Sequence, residues 1–144
     1  MTKSETPVFF IDRALGKRSV ADALRQAAVQ VEIHDDHFLP DALDTEWLPF
    51  VSSWGWLILT KDDRIGRNIL EQIAIANSGA KVFVLATGNL TGEEMAAIFV
   101  EARAKMERFA QGNQSPFIAK VDKRGSVRIW KNLDVAVETD AADR

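Results

Sequence analysis

The feature that most constrains the fold is a set of short apolar runs, two of which lead into an acidic residue. Val-Phe-Phe-Ile at 8–11 leads into Asp12, and Trp-Leu-Ile-Leu-Thr at 56–60 leads into Lys61 and Asp62. Strands that are apolar on both faces are typical of a parallel sheet that helices cover on both sides. Because ligands bind at the carboxyl ends of such strands, we expect Asp12 and Asp62 to lie side by side at that edge.

The rest of the pattern alternates between strands and helices. Further strands are predicted at 31–34, 81–86, 117–121 and 127–130, and helices at 20–28, 45–53, 65–79 and 91–110. The predicted helix ends are a Ser19–Asp22 capping box, an N-cap at Asp44, a C-cap at Gly79 and a Thr91–Glu94 capping box. With right-handed crossovers, this order predicts an α/β fold: a three-layer αβα sandwich with a mostly parallel central sheet and an antiparallel C-terminal edge.

Length and composition are those of one ordinary globular domain. We place it at residues 8–131, between an N-terminal tail at 1–7 and an acidic C-terminal tail at 132–144. The 144 residues include no cysteine, which excludes a thiolate nucleophile, a disulfide framework and a cysteine-ligated zinc site. The apolar runs are too short to span a bilayer and the N-terminus lacks the apolar core of a signal peptide. We therefore expect a cytoplasmic protein with no membrane partner.

A third acid, Asp44, would approach the same edge from the start of the short helix before the third strand. Converging carboxylates raise one another's pKa unless a cation neutralises them. Because oxygen ligands favour Mg²⁺ or Mn²⁺, we predict a metal site at Asp12, Asp44 and Asp62. Additional candidate ligands are Asp36, Glu46 and Asp63. The alternative is that Asp12 and Asp62 simply cap the helices that follow them.

Basic side chains flank these acids. The net charge of −3 excludes a general attraction to nucleic acid, so a nucleic-acid site would need a local basic patch. The candidates for contact with a substrate phosphate are Arg13, Lys17, Arg18, Lys61, Arg64 and, in the loop after the fourth strand, Asn89. The alternative is an ordinary solvated surface with salt bridges.

Four segments carry a family resemblance: Phe-Ile-Asp-Arg-Ala-Leu-Gly at 10–16, His-Asp-Asp-His-Phe at 34–38, Asp-Thr-Glu-Trp-Leu at 44–48 and Leu-Thr-Lys-Asp-Asp-Arg-Ile at 59–65. They resemble the PIN-like domains of the VapC45-type toxin group, within the PIN nuclease superfamily, and the resemblance covers about residues 8–90. It implies a metal-dependent endoribonuclease, a hydrolase that uses Mg²⁺ or Mn²⁺ to cleave RNA and is often the toxin of a toxin–antitoxin pair. An antitoxin protein is then an implied partner, and a homodimer is compatible with the resemblance.

The resemblance also assigns roles by motif position. The catalytic residues that it implies are Asp12, Asp44 and Asp62. Many PIN nucleases carry a further acid, often Glu, on an early helix. The first predicted helix offers only Asp22, which its capping box already explains, so we expect Asp36 or Glu46 to take that place.

Two other functions are compatible with the pattern. One is a catalytically inactive PIN-like binding module, because a fold alone does not secure activity. The other is a receiver-like phospho-acceptor domain, suggested by Asp12 after the first strand, Asp62 after the third, Thr87 after the fourth and Lys120 in the fifth. A receiver usually has a pair of acids after its first strand, whereas Arg13 follows Asp12 here.

Overall fold

The computed structural model describes residues 7–16, 18–86 and 88–132. Within them the chain forms six strands: β1 (Val8–Ile11), β2 (Gln30–Ile33), β3 (Leu57–Thr60), β4 (Lys81–Leu85), β5 (Phe117–Val121) and β6 (Val127–Asn132). The α-helices between them are α1 (Ser19–Gln26), α2 (Asp44–Ser53), α3 (Ile69–Ser78) and α4 (Gly92–Gly112). Short 3₁₀ turns follow β1, β2 and β3, at Arg13–Leu15, His34–Asp36 and Asp63–Gly66. Lys17 and most of the two predicted tails lie outside the described residues.

The strands form one sheet in the order β2-β1-β3-β4-β5-β6. Strands β1 to β5 run parallel, while β6 pairs antiparallel with β5. This confirms the predicted mostly parallel sheet with an antiparallel C-terminal edge. The chain passes from β1 to β2 on one side and then crosses to β3 on the other, so the direction of winding reverses between β1 and β3. A crevice forms at such a reversal, outside the carboxyl ends of the two strands.

Alternate side chains of the central strands enter two different cores. Phe9 and Leu59 belong to the core that the sheet forms with α1 and α4. Their neighbours Phe10 and Ile58 belong to the opposite core, formed with α2 and α3, where Trp47 is almost fully buried. The chain is therefore the predicted three-layer αβα sandwich. None of the helices in the described part of the chain has the length and apolar content that crossing a bilayer requires.

Two predicted helix ends are confirmed. Thr91 Oγ1 accepts a hydrogen bond from the Glu94 N–H at 3.1 Å, and the Glu94 carboxylate accepts one from the Thr91 N–H at 2.8 Å. These reciprocal bonds form the capping box that begins α4. Gly79 ends α3 with a φ of 69°, a left-handed conformation that glycine adopts without steric strain.

Two other predicted caps are wrong. The Ser19–Asp22 capping box does not form, because Ser19 is already the first helical residue of α1 and no side-chain cap precedes it. Asp44 is likewise the first residue of α2 rather than its N-cap. Leu43 holds the N-cap position with an extended backbone, and its N–H donates to the Glu46 carboxylate at 2.9 Å. The Asp44 carboxylate is therefore not used as a cap.

The third helix begins later than predicted. Instead of continuing from Ile65 as an α-helix, the chain first makes the turn at Asp63–Gly66. Asn68 is the N-cap of α3, and its side chain accepts from the N–H of Leu70 at 2.9 Å and of Glu71 at 3.1 Å. This later start places Glu71 in the first turn of α3, close to the end of β3.

Candidate active site

Asp12 extends the pairing of β1 with β3 by one residue. Its backbone N–H donates to the Leu59 carbonyl at 3.0 Å, so its carboxylate is carried to the edge beside Thr60. Asp12 is 8% exposed, and the fully buried Thr60 donates its hydroxyl to Asp12 Oδ2 at 2.6 Å. Burial raises the pKa of Asp12, and the hydrogen bond from Thr60 partly offsets that rise. Asp12 is therefore a buried carboxylate with a fixed orientation.

Asp62 is connected to the same hydroxyl through its backbone. Its N–H donates to Thr60 Oγ1 at 3.0 Å. Its carboxylate accepts two hydrogen bonds from the Arg64 guanidinium, at 2.9 and 2.8 Å, and one from the Arg64 N–H at 3.1 Å. These bonds from Arg64 lower the pKa of Asp62. Asp62 also caps, as the alternative interpretation of the sequence predicted. Its side chain caps the turn at Asp63–Gly66, and the same residue lines the cleft.

Asp44, at the start of α2, meets the strand-end acids from the other side of the cleft. Burial is the main cause of a pKa raised to about 7, and the negative charges of Asp12, Glu71 and Asp62 raise it further. The indole N–H of Trp47 lies near enough to lower the pKa of Asp44. That buried N–H nevertheless has no partner in hydrogen-bond geometry within the described residues. The contact between the Trp47 N–H and the Asp44 carboxylate is therefore a weak polar one.

Glu71 is a fourth carboxylate of this cluster, and the sequence patterns missed it. It lies in the first turn of α3, which packs against α2. Burial and the charge of Asp62 raise the pKa of Glu71, while hydrogen bonding with Asp44 opposes the rise. Its Oε1 atom is buried and makes no hydrogen bond within the described chain. A positional signal could have found it, because an acid in the first turn of the helix after β3 lies near the same sheet edge as Asp62.

The first three of these acids line one cleft of about 300 Å³ at the carboxyl ends of β1 and β3. Its lining residues are Asp12, Arg13, Ala14, His34, Pro40, Ala42, Asp44, Trp47, Asp62 and Arg64. His34 is buried, and its Nδ1 lies 2.9 Å from Asp35 Oδ1. The same oxygen of Asp35 accepts from Arg13 Nε at 2.8 Å. Asp35 therefore fixes both the histidine and the arginine in the wall of the cleft.

The ligand chemistry of the cluster suits a divalent cation, although the side chains as observed do not form a finished metal site. Carboxylate oxygens are the ligands that Mg²⁺ and Mn²⁺ prefer. Burial, with the negative charges of Asp12, Glu71 and Asp62, raises the pKa of Asp44, so a cation here would favour its ionised form. Among the described residues, however, no three Asp, Glu, His or Cys side chains are grouped closely enough to hold one ion. At Asp62, Arg64 contacts both carboxylate oxygens. The Arg64 side chain is 80% exposed and can leave for solvent. The metal site stays a prediction.

The additional ligands proposed from the sequence lie away from the cleft. Asp36 is exposed in the turn after β2. Glu46 caps α2 and lines a different cavity. Asp63 pairs with Arg67 at 3.3 Å and faces the cavity on the far side of the loop after β3. Glu71, rather than any of these three, is the further acid that the structure brings to the cluster.

The predicted substrate-binding residues are divided in the same way. Arg13 and Arg64 line the cleft. Lys17 lies outside the described residues. Three of the candidates do not line the cleft: Arg18, Lys61 and Asn89. The lysine on which the receiver-like alternative depended, Lys120, lies on the far side of the loop after β3, and Thr87 lies outside the described residues.

Thr60→Val should lower the free energy of unfolding by roughly 1–3 kcal/mol, because it leaves a buried carboxylate and a backbone N–H without their common partner. Valine keeps the β-branched shape, so the packing of the strand is preserved. Thr60→Ser is the matched control. It keeps the hydroxyl, so its free energy of unfolding should be closer to that of the wild type. Equilibrium denaturation in urea measures all three proteins. A valine variant as stable as the wild type would show that this hydroxyl does not hold Asp12.

Asp44→Asn should stabilise the metal-free protein at neutral pH and not at acidic pH. The pKa of Asp44 rises on folding from about 3.8 to about 7, so the folded state binds the proton more tightly. This contribution to stability is complete below about pH 4 and is lost as the pH rises through 7. Asparagine removes that loss, a gain on the order of 1–2 kcal/mol after solvent screening.

The measurement compares urea midpoints near pH 4 and near pH 8, with a chelator present. Asp22→Asn, on the exposed side of α1, is the matched control. If Asp44→Asn changed stability equally at both pH values, the pKa of the Asp44 carboxylate would not rise on folding.

Comparison with known proteins shows the family of the chain. The chain matches the family model described as "PIN like domain" over residues 7–87, more than half of its length and a range that includes all four carboxylates. It is 28% identical over 124 residues to a protein of Mycobacterium tuberculosis (strain ATCC 25618 / H37Rv) named "Putative ribonuclease VapC45", covering 83% of this chain and 89% of that protein. No solved structure gives a significant match. The chain belongs to the PIN-like domain family.

Proposed function

We propose that this chain is a metal-dependent endoribonuclease of PIN-like type, which hydrolyses the phosphodiester bonds of RNA. One observation carries the proposal: Asp12, Asp44, Asp62 and Glu71 meet at the carboxyl edge of a parallel sheet and influence one another's pKa. Burial first, and then the negative charges of Asp12, Glu71 and Asp62, raises the pKa of Asp44 to about 7. A bound cation would offset both effects. Membership of the PIN-like domain family and the name of the mycobacterial relative support the same activity.

The carboxylates of this cluster would draw closer together around the cation, Mg²⁺ or Mn²⁺, than they lie among the described residues, and would supply the oxygen ligands that these ions prefer. A bound ion supplies positive charge beside the scissile phosphate and lowers the pKa of a water molecule. Thr60 holds the Asp12 carboxylate in one orientation, so this ligand needs little reorganisation. Asp44 and Glu71 reach the cluster from α2 and α3, so the packing of these two helices sets the distance between the ligands.

Arg13 and Arg64 would position the RNA. The Arg13 side chain is 45% exposed at the rim of the cleft and is held by Asp35, while Arg64 covers Asp62 from the solvent side. Guanidinium groups bind phosphate oxygens with two parallel hydrogen bonds, which fixes direction as well as distance. The two arginines are therefore suited to orient a phosphate above the carboxylates.

The test is cleavage of a labelled single-stranded RNA by the purified chain. We expect cleavage with Mg²⁺ or Mn²⁺ and none with a chelator. Asp12→Asn and Glu71→Gln should each reduce the rate about 10- to 100-fold or more, because each removes one charged ligand. Glu107→Gln, an acid on α4 that pairs with Arg103, is the matched control and should cleave normally.

A binding measurement separates the metal from the chemistry. Millimolar Mn²⁺ should raise the melting temperature through preferential binding to the folded state, and Asp62→Asn should weaken that response. Equal responses in the two proteins would argue against a metal site at Asp62. A metal response without cleavage of any RNA would favour the catalytically inactive binding module over the nuclease.

We further propose that the protein is the toxin of a toxin–antitoxin pair and acts in the cytoplasm. A nuclease of this kind needs a partner that blocks its cleft, and the charges at the cleft suit a protein inhibitor. A basic side chain of the antitoxin could neutralise Asp12 and Asp44, while acidic side chains could pair with Arg64 at the cleft and with Lys61 on the other side of the loop after β3. Such interleaved charges give specificity to an interface.

Co-expression with the product of the adjacent gene should yield a complex that depends on these charges. Lys61→Glu together with Arg64→Glu should weaken the complex at least about 10-fold, because two attractive contacts become repulsive. Lys105→Glu, on the exposed side of α4, is the control for a general change of charge. Unchanged affinity in the double variant would mean that the partner docks elsewhere.

A further inference from the structure

A second cavity adjoins the acidic cleft across the loop that follows β3. Asp62 lines the acidic cleft, whereas its neighbours Lys61 and Asp63 line the second cavity, which measures about 390 Å³. Arg67 and Lys120 lie on the same cavity, next to the end of β4. A nucleic-acid strand that crossed this loop from the cleft would therefore pass directly onto the second cavity.

The polar side chains of the second cavity are mainly cationic. Lys61 and Arg67 are exposed, and Asp63 forms only a loose ion pair with Arg67, at 3.3 Å and open to solvent on both sides. Lys120 is half-buried on β5 and pairs with no carboxylate in the described part of the chain. Its Nζ instead lies 4.2 Å from the centre of the Trp130 ring. Most of the positive charge is therefore left unneutralised by the protein.

The edge strand β6 continues this positive surface. Lys120 lies directly opposite Arg128 in the β5–β6 ladder, and a register shift leaves Trp130 as an extra residue on β6. Lys131 Nζ lies 5.9 Å from the ring centre of Trp130. Like charges directly opposite each other destabilise a sheet. In the adjacent turn, backbone hydrogen bonds, chiefly from Ser126, and then the charges of Arg128 and Arg124 lower the pKa of Asp122. A polyanion bound across these two strands would relieve the repulsion.

We propose that this basic surface binds the single-stranded RNA that leads away from the acidic cleft. Its members are Lys61, Arg67, Lys120, Arg128, Trp130 and Lys131. The lysines and arginines contact phosphates, and the Trp130 ring stacks on a base, which requires a base that is not already paired. Charge complementarity supports this occupant, because a chain with a net charge of −3 gathers five basic side chains on the second cavity and the adjoining β6, two of them beside the Trp130 ring. The inference rests on the proposed ribonuclease function and names where its substrate lies beyond the scissile bond.

The experiment measures binding on the full chain carrying Asp12→Asn, so that cleavage does not intervene. Fluorescence anisotropy of a labelled, unstructured RNA gives the affinity at several salt concentrations. Lys120→Ala in this background should weaken binding several-fold and reduce the slope of log K against log salt by about 0.7, the share of one single-strand phosphate contact. Trp130→Leu should weaken binding about 5- to 100-fold with little change in slope, because stacking is not ionic.

Lys105→Ala is the matched control and should bind like the Asp12→Asn parent. Parental affinity and slope in both Lys120→Ala and Trp130→Leu would overturn the proposal. Equally strong competition by polyglutamate would also overturn it, because that result indicates an acidic protein partner instead of RNA. If Trp130→Leu does not fold, Trp130→Phe, which keeps an aromatic face, should bind close to the parent, while Arg128→Ala should lower both affinity and slope.

Cleavage assays keep this inference distinct from the proposed function. A wild-type chain that binds RNA through Lys120 and Trp130 but never cleaves it would overturn the nuclease and leave the RNA-binding surface. A chain that cleaves RNA with an unchanged KM in both variants would overturn the surface and leave the nuclease.

Discussion

The parallel pairing of β1 with β3 is the constraint on which the rest of the site depends. The pairing continues one residue past β1, through the bond from the Asp12 N–H to Leu59, and so brings Asp12 against the hydroxyl of Thr60. The same hydroxyl accepts from the Asp62 N–H. One buried oxygen therefore holds two acidic segments that are far apart in the chain. Because both strands are enclosed between helices, this small polar network is shielded from water and its geometry is set by the sheet.

The acidic cluster lowers the stability of the folded state when its carboxylates are ionised. Burial raises the pKa of Asp12, Asp44 and Glu71, so each would be easier to bury as a neutral group. Arg64 relieves part of the conflict at Asp62, but as an exposed side chain it is not locked in place. Proteins retain such unfavourable groups where function needs them, and the surrounding core supplies the stability that the site lacks. Lys120 and Arg128, which lie opposite each other on β5 and β6, are a second set of groups whose charges disfavour the folded state.

Part of the site could be predicted because it depends on local pattern. An apolar strand followed by an acid is visible in the sequence. The alternation of continuous apolar strands with helices indicates that the strands are parallel and that helices cover both faces of the sheet. The position of Asp44 was predicted, but its assignment as an N-cap was wrong, since Leu43 occupies that position. Glu71 was missed because its segment was interpreted as the middle of an apolar helix. Asn68 interrupts that helix and starts a new one, which turns Glu71 toward the edge.

The sequence by itself determined the order of strands and helices, the placement of Asp12 and Asp62 at strand ends, and the antiparallel final hairpin. These follow from apolar periodicity and turn residues, which act over a few neighbouring positions. Only the tertiary structure decided that Glu71 meets Asp44, that Arg64 covers Asp62 and that Lys120 lies over Trp130. Such contacts depend on how helices pack and how strands pair across distant parts of the chain. The pKa values depend on them in turn, because burial and neighbouring charges exist only in the folded protein.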